Sequence, residues 1–280
     1  MAKRAAARKN RLLVIGAHPD DCEASAGGLA ALYARDGHVV KFVSMTNGDT
    51  GHYRMGGGEL ARRRFAEAQR SAAVIGLQYE VLDNHCGELE PTIENRRTVI
   101  RLIRRCRPDL VLTHAPDDYH PDHRYTSVLV QDSAYQVTVP GMCPLTPHLN
   151  RNPVYGYVRG SAPRGAGFSP TLLVDIDAVI DKKLRMMCCH ESQFLEWIPY
   201  SQGRLDEVPK GKAAQRRWIA DMWSAWLRPL ADKYRELLVS QYGRSRGQRV
   251  KFAEAVAISP FGSPLDEHTS RRLFPFAHNR

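Results

Sequence analysis

The chain has 280 residues, of which 43% are hydrophobic and 25% charged, a balance typical of one large folded domain or two small ones. No hydrophobic run is long enough to span a bilayer, and the short run at 12–17 does not fit a signal peptide, so we expect no transmembrane segment and a cytoplasmic protein. Six cysteines without a CxxC pair indicate reduced thiols rather than a disulfide framework.

The formal net charge is +10, and half of this excess comes from five basic residues near the N-terminus: Lys3, Arg4, Arg8, Lys9 and Arg11. We therefore predict that residues 1–10 form a disordered basic tail. A basic protein can bind nucleic acid, anionic lipid or phosphorylated sugar. The chain carries no nucleic-acid-binding motif, which favours a solvated basic face and no nucleic-acid partner.

Short hydrophobic strands alternate with helices in the first half of the chain. The predicted strands cover residues 12–16, 38–45, 79–82 and 110–113, and the predicted helices cover residues 23–36, 59–75, 93–106 and 122–135. This alternation predicts an α/β fold, namely a Rossmann-like, doubly wound, mainly parallel sheet with helices on both faces and strand order 3-2-1-4-5.

The pattern changes beyond residue 140. Three further strands and two helices are predicted, at 154–158, 172–176, 250–257, 178–191 and 218–238. We divide one domain, residues 11–280, into a Rossmann-like core (11–139) and a C-terminal capping region (140–280). Segments 140–167 and 201–215 are expected to shape a specificity pocket. The arginine-rich stretch after Pro264 supports no prediction.

A cluster of polar residues follows the first strand. His18, Pro19, Asp20 and Asp21 come directly after Gly16-Ala17, and a predicted helix follows them. Pro19 biases His18 towards an extended conformation. One aspartate could cap the helix, but a cap accounts for neither His18 nor the second carboxylate. The layout is typical of a site at the carboxyl end of a parallel strand.

A second cluster follows the fourth strand. His120 and His123 lie three residues apart at the start of a helix, among Asp117, Asp118 and Asp122, so both histidines can face one side. Strands 1 and 4 are neighbours at the switch point of the predicted sheet, so the two clusters should converge. Two histidines and one carboxylate suit an open zinc site. The same donors can hold Fe²⁺, but we favour zinc.

The chain resembles the PIG-L/LmbE-like family of zinc-dependent N-deacetylases, which act on N-acetylglucosaminyl groups. The resemblance rests on Arg64 with Glu67 and on the motifs AHPDD (17–21), RPDLVLTH (107–114), HPDH (120–123), HESQ (190–193) and FAEA (252–255). It implies a metal-dependent hydrolase that uses one Zn²⁺ per chain to remove the N-acetyl group from a small amino-sugar substrate.

The family pattern also implies roles for individual residues. The implied metal ligands are His18, Asp21 and His123. Asp20 is implied as the general base, and protonated His120 as the group that stabilises the oxyanion. Asp122 would orient His120, and Arg64 would contact the sugar.

Several points stay open at this stage. Cys86-Gly87 stands where relatives often carry Asp-Gly, which leaves the sugar contacts of that loop undefined. Cys22 could bind zinc, but small, buried helix packing is favoured. His190 and Gln193 fit a pocket mouth and a structural role equally.

The alternative function is a zinc amidase or ester hydrolase that acts on a non-sugar molecule. A dinucleotide-binding protein is disfavoured because HPDD replaces GxGxxG, and a homo-oligomer remains open.

Overall fold

A computed structural model describes residues 8–158 and 168–278. The strands are β1 (Arg11–Gly16), β2 (Val39–Thr46), β3 (Gln78–Asn84), β4 (Leu110–His114), β5 (Val154–Val158), β6 (Leu172–Asp175) and β7 (Ala253–Gly262). The α-helices are α1 (Asp21–Arg35), α2 (Gly57–Ile75), α3 (Ile93–Cys106), α4 (Pro121–Gln136), α5 (Ile180–Met187), α6 (Ile198–Ser201), α7 (Lys212–Lys233), α8 (Arg235–Tyr242), α9 (Arg244–Gly247) and α10 (Glu267–Leu273).

The described strands form one sheet in the order β3-β2-β1-β4-β5-β7-β6. The first five strands in this order pair in parallel, which confirms the predicted doubly wound order. The strands β7 and β6 extend the sheet in antiparallel fashion. None of the described helices is long and apolar enough to cross a membrane.

Strand β1 explains why the sheet is covered on both faces. Leu12 and Val14 pack into one hydrophobic cluster together with α1. Leu13 and Ile15 point to the opposite face and pack with α3 and α4. Because alternate residues of a strand point to opposite faces, a continuous apolar run buries both sides, as parallel sheets require. The turn that follows β1 therefore leaves a strand that is buried on both faces.

The C-terminal half departs from prediction in its boundaries. The predicted helix 178–191 is a 3₁₀ turn, Asp177–Val179, followed by the shorter helix α5 and then a π-helical segment, Ser192–Trp197. The predicted helix 218–238 starts earlier and divides into α7 and α8, and β7 starts three residues after the predicted strand does. The region after Pro264 contains α10.

A buried ion pair fixes the position of this half against α1. The Lys183 ammonium donates to Glu254 Oε1 at 2.5 Å and to the Ala24 carbonyl at 2.7 Å. The Glu254 carboxylate accepts the backbone N–H groups of Gly28 and Leu29, each at 2.7 Å. These bonds occupy polar groups that would otherwise be buried without partners, so α5 and β7 are held against α1.

The N-terminal prediction needs a correction. Arg8 donates to Asp109 Oδ1 at 2.8 Å, and the Asn10 side chain donates to the Arg272 carbonyl at 2.6 Å. Asn10 is 3% exposed. The prediction of disorder therefore does not hold for Arg8 and Asn10, because these two residues pair with groups of the folded body. The rest of the predicted tail, 1–7, and residues 159–167 of the predicted pocket segment lie outside the described residues.

Candidate active site

Two turns meet at the carboxyl edge of the adjacent strands β1 and β4. The first, residues 17–20, links β1 to α1, and the second, residues 115–120, links β4 to α4. The first turn folds back tightly, because a Cβ atom on Gly16 would lie 2.8 Å from the Asp21 Cβ. A side chain at Gly16 would push Asp21 away, so glycine is required for the turn to close. The predicted convergence of the two clusters is confirmed.

Three predicted ligands present their donor atoms to a common point. His18 Nδ1 lies 3.1 Å from His123 Nε2, and Asp21 Oδ2 lies 3.3 Å from the first and 3.4 Å from the second. Metal–ligand bonds of about 2.0–2.2 Å in tetrahedral geometry place neighbouring donors roughly 3.3–3.6 Å apart. The spacing of these nitrogen and carboxylate donors therefore fits a divalent metal such as zinc.

A carboxylate holds the far nitrogen of each of these histidines. Asp122 Oδ2 lies 3.0 Å from His18 Nε2, and Asp118 Oδ1 lies 2.9 Å from His123 Nδ1. Such pairs fix the tautomer and the orientation of a metal-binding imidazole. They leave His18 Nδ1 and His123 Nε2 as the free donors, which are the two atoms that face Asp21. The sequence analysis did not assign this orienting role to Asp118. The only feature of the sequence that pointed to it was the presence of a carboxylate near His123.

His114 is a second residue that the sequence did not single out. Its Nε2 accepts the Ala17 N–H at 3.0 Å, and its ring stacks on His123 with centroids 4.0 Å apart. His114, Asp21 and His123 form another group whose donor atoms lie within 4.8 Å of one another. Because the Ala17 N–H already uses His114 Nε2, we favour His114 as a support for the turn rather than as a ligand.

The structure corrects the predicted pairing of His120 with Asp122. The Asp122 carboxylate accepts from His18, from Gly87 N at 2.6 Å and from Leu89 N at 3.3 Å. His120 Nδ1 instead accepts the Asp122 backbone N–H at 3.1 Å and caps α4. The Asp122 carboxylate therefore orients His18 and not His120, because three donors of other residues already occupy it.

The expected protonation of His120 also changes. Burial, followed by the neighbouring imidazoles of His18 and His123, lowers the pKa of His120 to about 4, against the weaker opposing effect of Asp122. Because Nδ1 accepts a backbone N–H, the neutral ring carries its proton on Nε2. His120 is thus a neutral hydrogen-bond donor at neutral pH.

Asp20 has a strained backbone and a perturbed carboxyl group. Its φ is +151°, a value that non-glycine residues adopt only when the surroundings enforce it. Arg64 Nη2 donates to Asp20 Oδ1 at 3.0 Å and to the Pro19 carbonyl at 2.9 Å. Burial raises the pKa of Asp20 to about 6, while Arg64 lowers it. A carboxyl group with this pKa can exchange protons near neutral pH.

The Arg64 side chain is buried against the turn that follows β1 and is not exposed to solvent. It is 2% exposed, and Gly48, with φ +74°, gives it room, since a Cβ there would lie 2.6 Å from Arg64 Nη1. In the described residues its polar partners are Pro19, Asp20 and Gly48. The sugar contact expected for Arg64 stays a prediction, and the geometry gives it a positioning role.

The residues left open on the sequence have structural partners. His190 is fully buried and its Nε2 lies 2.8 Å from Glu23 Oε1. Burial lowers the pKa of His190, but Glu23, Asp20 and Glu67 together raise it above its ordinary value. Gln193 donates to the Gly51 carbonyl at 3.0 Å. The Cys22 thiol is buried against the carbonyls of Val14 and Val43, which confirms its packing role.

The chain is similar to known proteins over much of its length. A profile described as PIG-L, GlcNAc-PI de-N-acetylase, matches residues 13–134. Diacetylchitobiose deacetylase of Thermococcus kodakarensis is 30% identical over 278 residues, covering 96% of this chain and 87% of that protein. The 4-oxalmesaconate hydratase of Pseudomonas putida is 29% identical over 213 residues, covering 71% of this chain and 80% of that protein.

A solved structure extends the similarity to three dimensions. N,N'-diacetylchitobiose deacetylase of Pyrococcus horikoshii superimposes with a TM-score of 0.68 at 26% identity, covering 90% of this chain and 84% of that one. The two deacetylases match nearly the full length of the described core and capping region. With this match along almost its whole length, the chain belongs to the PIG-L family of GlcNAc-PI de-N-acetylases.

Proposed function

We propose that this protein is a metal-dependent hydrolase that removes the N-acetyl group from a small N-acetylglucosamine-type substrate and releases acetate. The observation that carries the proposal is the close approach of His18 Nδ1, Asp21 Oδ2 and His123 Nε2, all within 3.4 Å. The carboxylate of Asp20, a residue with a strained backbone, lies next to this group in the chain. The deacetylase relatives support the same reaction class.

We further propose one Zn²⁺ per chain, held by His18, Asp21 and His123. Fe²⁺ is the alternative ion for these nitrogen and oxygen donors. The chemistry that zinc supplies when bound is Lewis acidity, which lowers the pKa of water towards about 7 and polarises a carbonyl group. Asp122 and Asp118 keep the two imidazoles in the tautomers that this role requires.

Asp20 acts in this scheme as the general base. Arg64 donates to Oδ1, and no hydrogen bond within the described residues reaches Oδ2, so this oxygen can take the proton of the attacking water. Its raised pKa, about 6, lets it hold that proton and then give it to the leaving amine. Arg64 has the accompanying role of keeping the carboxylate in its strained position.

His120 supplies the donor for the oxyanion. The backbone N–H of Asp122 fixes Nδ1 as an acceptor, so the neutral ring presents an Nε2–H. Its ring centroid lies 4.6 Å from that of His18, which places His120 beside the proposed metal centre. A positioned donor of this kind lowers the barrier by roughly 3 kcal/mol. Asp122 has no direct part in this step and acts through His18.

Two reactions compete with the proposed one. The first is hydration, because one relative is named as a hydratase. The second is our alternative, a zinc amidase or ester hydrolase that acts on a non-sugar molecule. The cheapest discriminating experiment incubates zinc-loaded protein with N,N'-diacetylchitobiose, N-acetylglucosamine, a simple acetate ester and 4-oxalmesaconate. We expect acetate from an amino sugar. Acetate release from the ester alone, or loss of 4-oxalmesaconate without acetate, would replace the proposed reaction by one of the alternatives.

The proposed metal ligands have their own test. His18→Ala removes one donor and the orienting link to Asp122, so we expect it to lose stoichiometric zinc after dialysis. Asp117→Asn is the matched control, because Asp117 lies in the same loop as the second cluster but is exposed. Full zinc retention by His18→Ala would overturn the ligand assignment.

The proposal also includes a cytoplasmic location, in which the six cysteines are reduced.

A further inference from the structure

A further group of side chains that are able to hold a metal ion lies against the far nitrogen of His18. It consists of His18, Cys86 and Asp122, whose donor atoms lie within 4.8 Å of one another. Cys86 is 8% exposed and Asp122 is fully buried. Asp122 Oδ2 lies 3.0 Å from His18 Nε2, which places this group on the Nε2 side of the His18 ring. This group shares His18 with the proposed catalytic centre but uses the opposite side of its ring.

The position of the thiol is fixed by its backbone. The Cys86 N–H donates to Asp49 Oδ1 at 3.0 Å, and Thr50 Oγ1 donates to the Cys86 carbonyl at 2.9 Å. The next N–H, that of Gly87, donates to Asp122 Oδ2 at 2.6 Å. These bonds tie the turn 85–88 to both the β2 loop and α4. The three donors therefore belong to a prearranged site rather than to a mobile loop.

The donor set contains a thiol, which the proposed catalytic centre lacks. A thiolate combined with an imidazole and a carboxylate favours thiophilic divalent ions such as Cd²⁺ and excess Zn²⁺. We propose that Cys86, Asp122 and His18 Nε2 form a second metal site at which such ions inhibit the enzyme. The inhibitory part of this inference rests on the proposed function, because it requires His18 to serve the catalytic metal.

Binding at the second site competes with the arrangement that supports catalysis. The incoming ion forms bonds to Cys86 Sγ, His18 Nε2 and Asp122 Oδ2, while the thiol proton and the Nε2 proton leave to solvent. Asp122 then no longer accepts a hydrogen bond from His18. Two divalent ions on opposite nitrogens of one imidazole also repel each other. By linkage, each ion weakens the binding of the other by the same factor.

The test follows Cd²⁺ binding by the ultraviolet charge-transfer absorbance of the cadmium–thiolate bond. The parent protein carries Cys188→Ser and Cys189→Ser, because these adjacent thiols could bind Cd²⁺ on their own. Cys86→Ala is compared with Cys143→Ser, a partly buried cysteine outside the site. Cys86→Ser serves as a second variant, and thermal unfolding checks that each protein is folded.

We expect a cadmium–thiolate signal that saturates at one ion per chain in the parent and in Cys143→Ser and is absent from both Cys86 variants. Removal of Cys86 should raise the Cd²⁺ concentration for half-inhibition of zinc-loaded protein by about tenfold or more, since even outer partners of ligands change metal affinity that much. An unchanged signal in the Cys86 variants, no signal in the parent, or unchanged inhibition without Cys86 would overturn the proposal. If no amide is hydrolysed while the Cys86-dependent signal persists, the proposed function fails and the second site stands.

Discussion

Replacement of Asp122 by asparagine tests how the site is supported. The two carboxylate oxygens accept from His18 Nε2 at 3.0 Å, Gly87 N at 2.6 Å and Leu89 N at 3.3 Å. An amide has only one acceptor oxygen, so at least one of these donors would face an NH₂ group. The imidazole of His18 would also lose its anionic partner. Loss of such a partner weakens metal binding by about 10–100-fold, or roughly 1.4–2.8 kcal/mol.

The assay measures the zinc dissociation constant of each variant by competition with a chelator and then measures turnover at saturating zinc. We expect weaker zinc binding in Asp122→Asn and partial recovery of turnover when zinc is added. Asp118→Asn should behave similarly, because Asp118 holds His123 in the same way. Asp117→Asn should match the wild type. Unchanged zinc affinity in Asp122→Asn, with an altered pH profile instead, would refute this reasoning and favour a partnership with His120.

Three further predictions concern neighbouring groups. His120→Ala should lower turnover by about 10²–10³-fold with zinc content unchanged; loss of zinc would make His120 a ligand instead. A lysine at position 64 cannot make the two hydrogen bonds by which the Arg64 guanidinium holds Pro19 and Asp20. In Arg64→Lys, kcat should therefore fall more than KM rises. A rise in KM alone would support the sugar contact. Burial raises the pKa of Glu196, but Arg63 and His52 together hold it below the ordinary value. A lowered pKa stabilises the fold above about pH 4.3 and loses this effect as the pH falls. Glu196→Gln should therefore lower the Tm at pH 7 more than at pH 3, and an equal loss at both would contradict the pairing.

The sequence predicted those parts of the site that depend on local pattern and strand order. His18 and Asp21 follow a buried strand, His123 begins a helix after another, and adjacent parallel strands bring such turns together. The order of β1 to β5 follows from the same alternation of strands and helices. Chain order and hydrophobic period were enough to predict the strand order and the convergence of the two turns, whereas the choice of His18, Asp21 and His123 as ligands came from the family resemblance.

Contacts between distant residues could not be predicted in the same way. Asp122 lies two residues from His120, yet its carboxylate turns to His18 because the N–H groups of Gly87 and Leu89 accompany it there. The role of Arg64 depends on Gly48, a glycine in the loop after β2. Likewise, the π-helical segment Ser192–Trp197 was not predicted, because the sequence shows no hydrophobic period that distinguishes it. Side-chain direction in each case is set by tertiary partners.

We propose Asp20 as the general base of an N-deacetylase whose metal is held by neighbouring side chains. The most direct measurement is the rate of acetate release from N,N'-diacetylchitobiose by wild type and Asp20→Asn, each with its bound zinc determined in the same sample. Asparagine is nearly isosteric and can still accept from Arg64, but it cannot take a proton. We predict equal zinc content and a rate lower by about 10²–10⁴-fold. Wild-type turnover by zinc-loaded Asp20→Asn would contradict the claim.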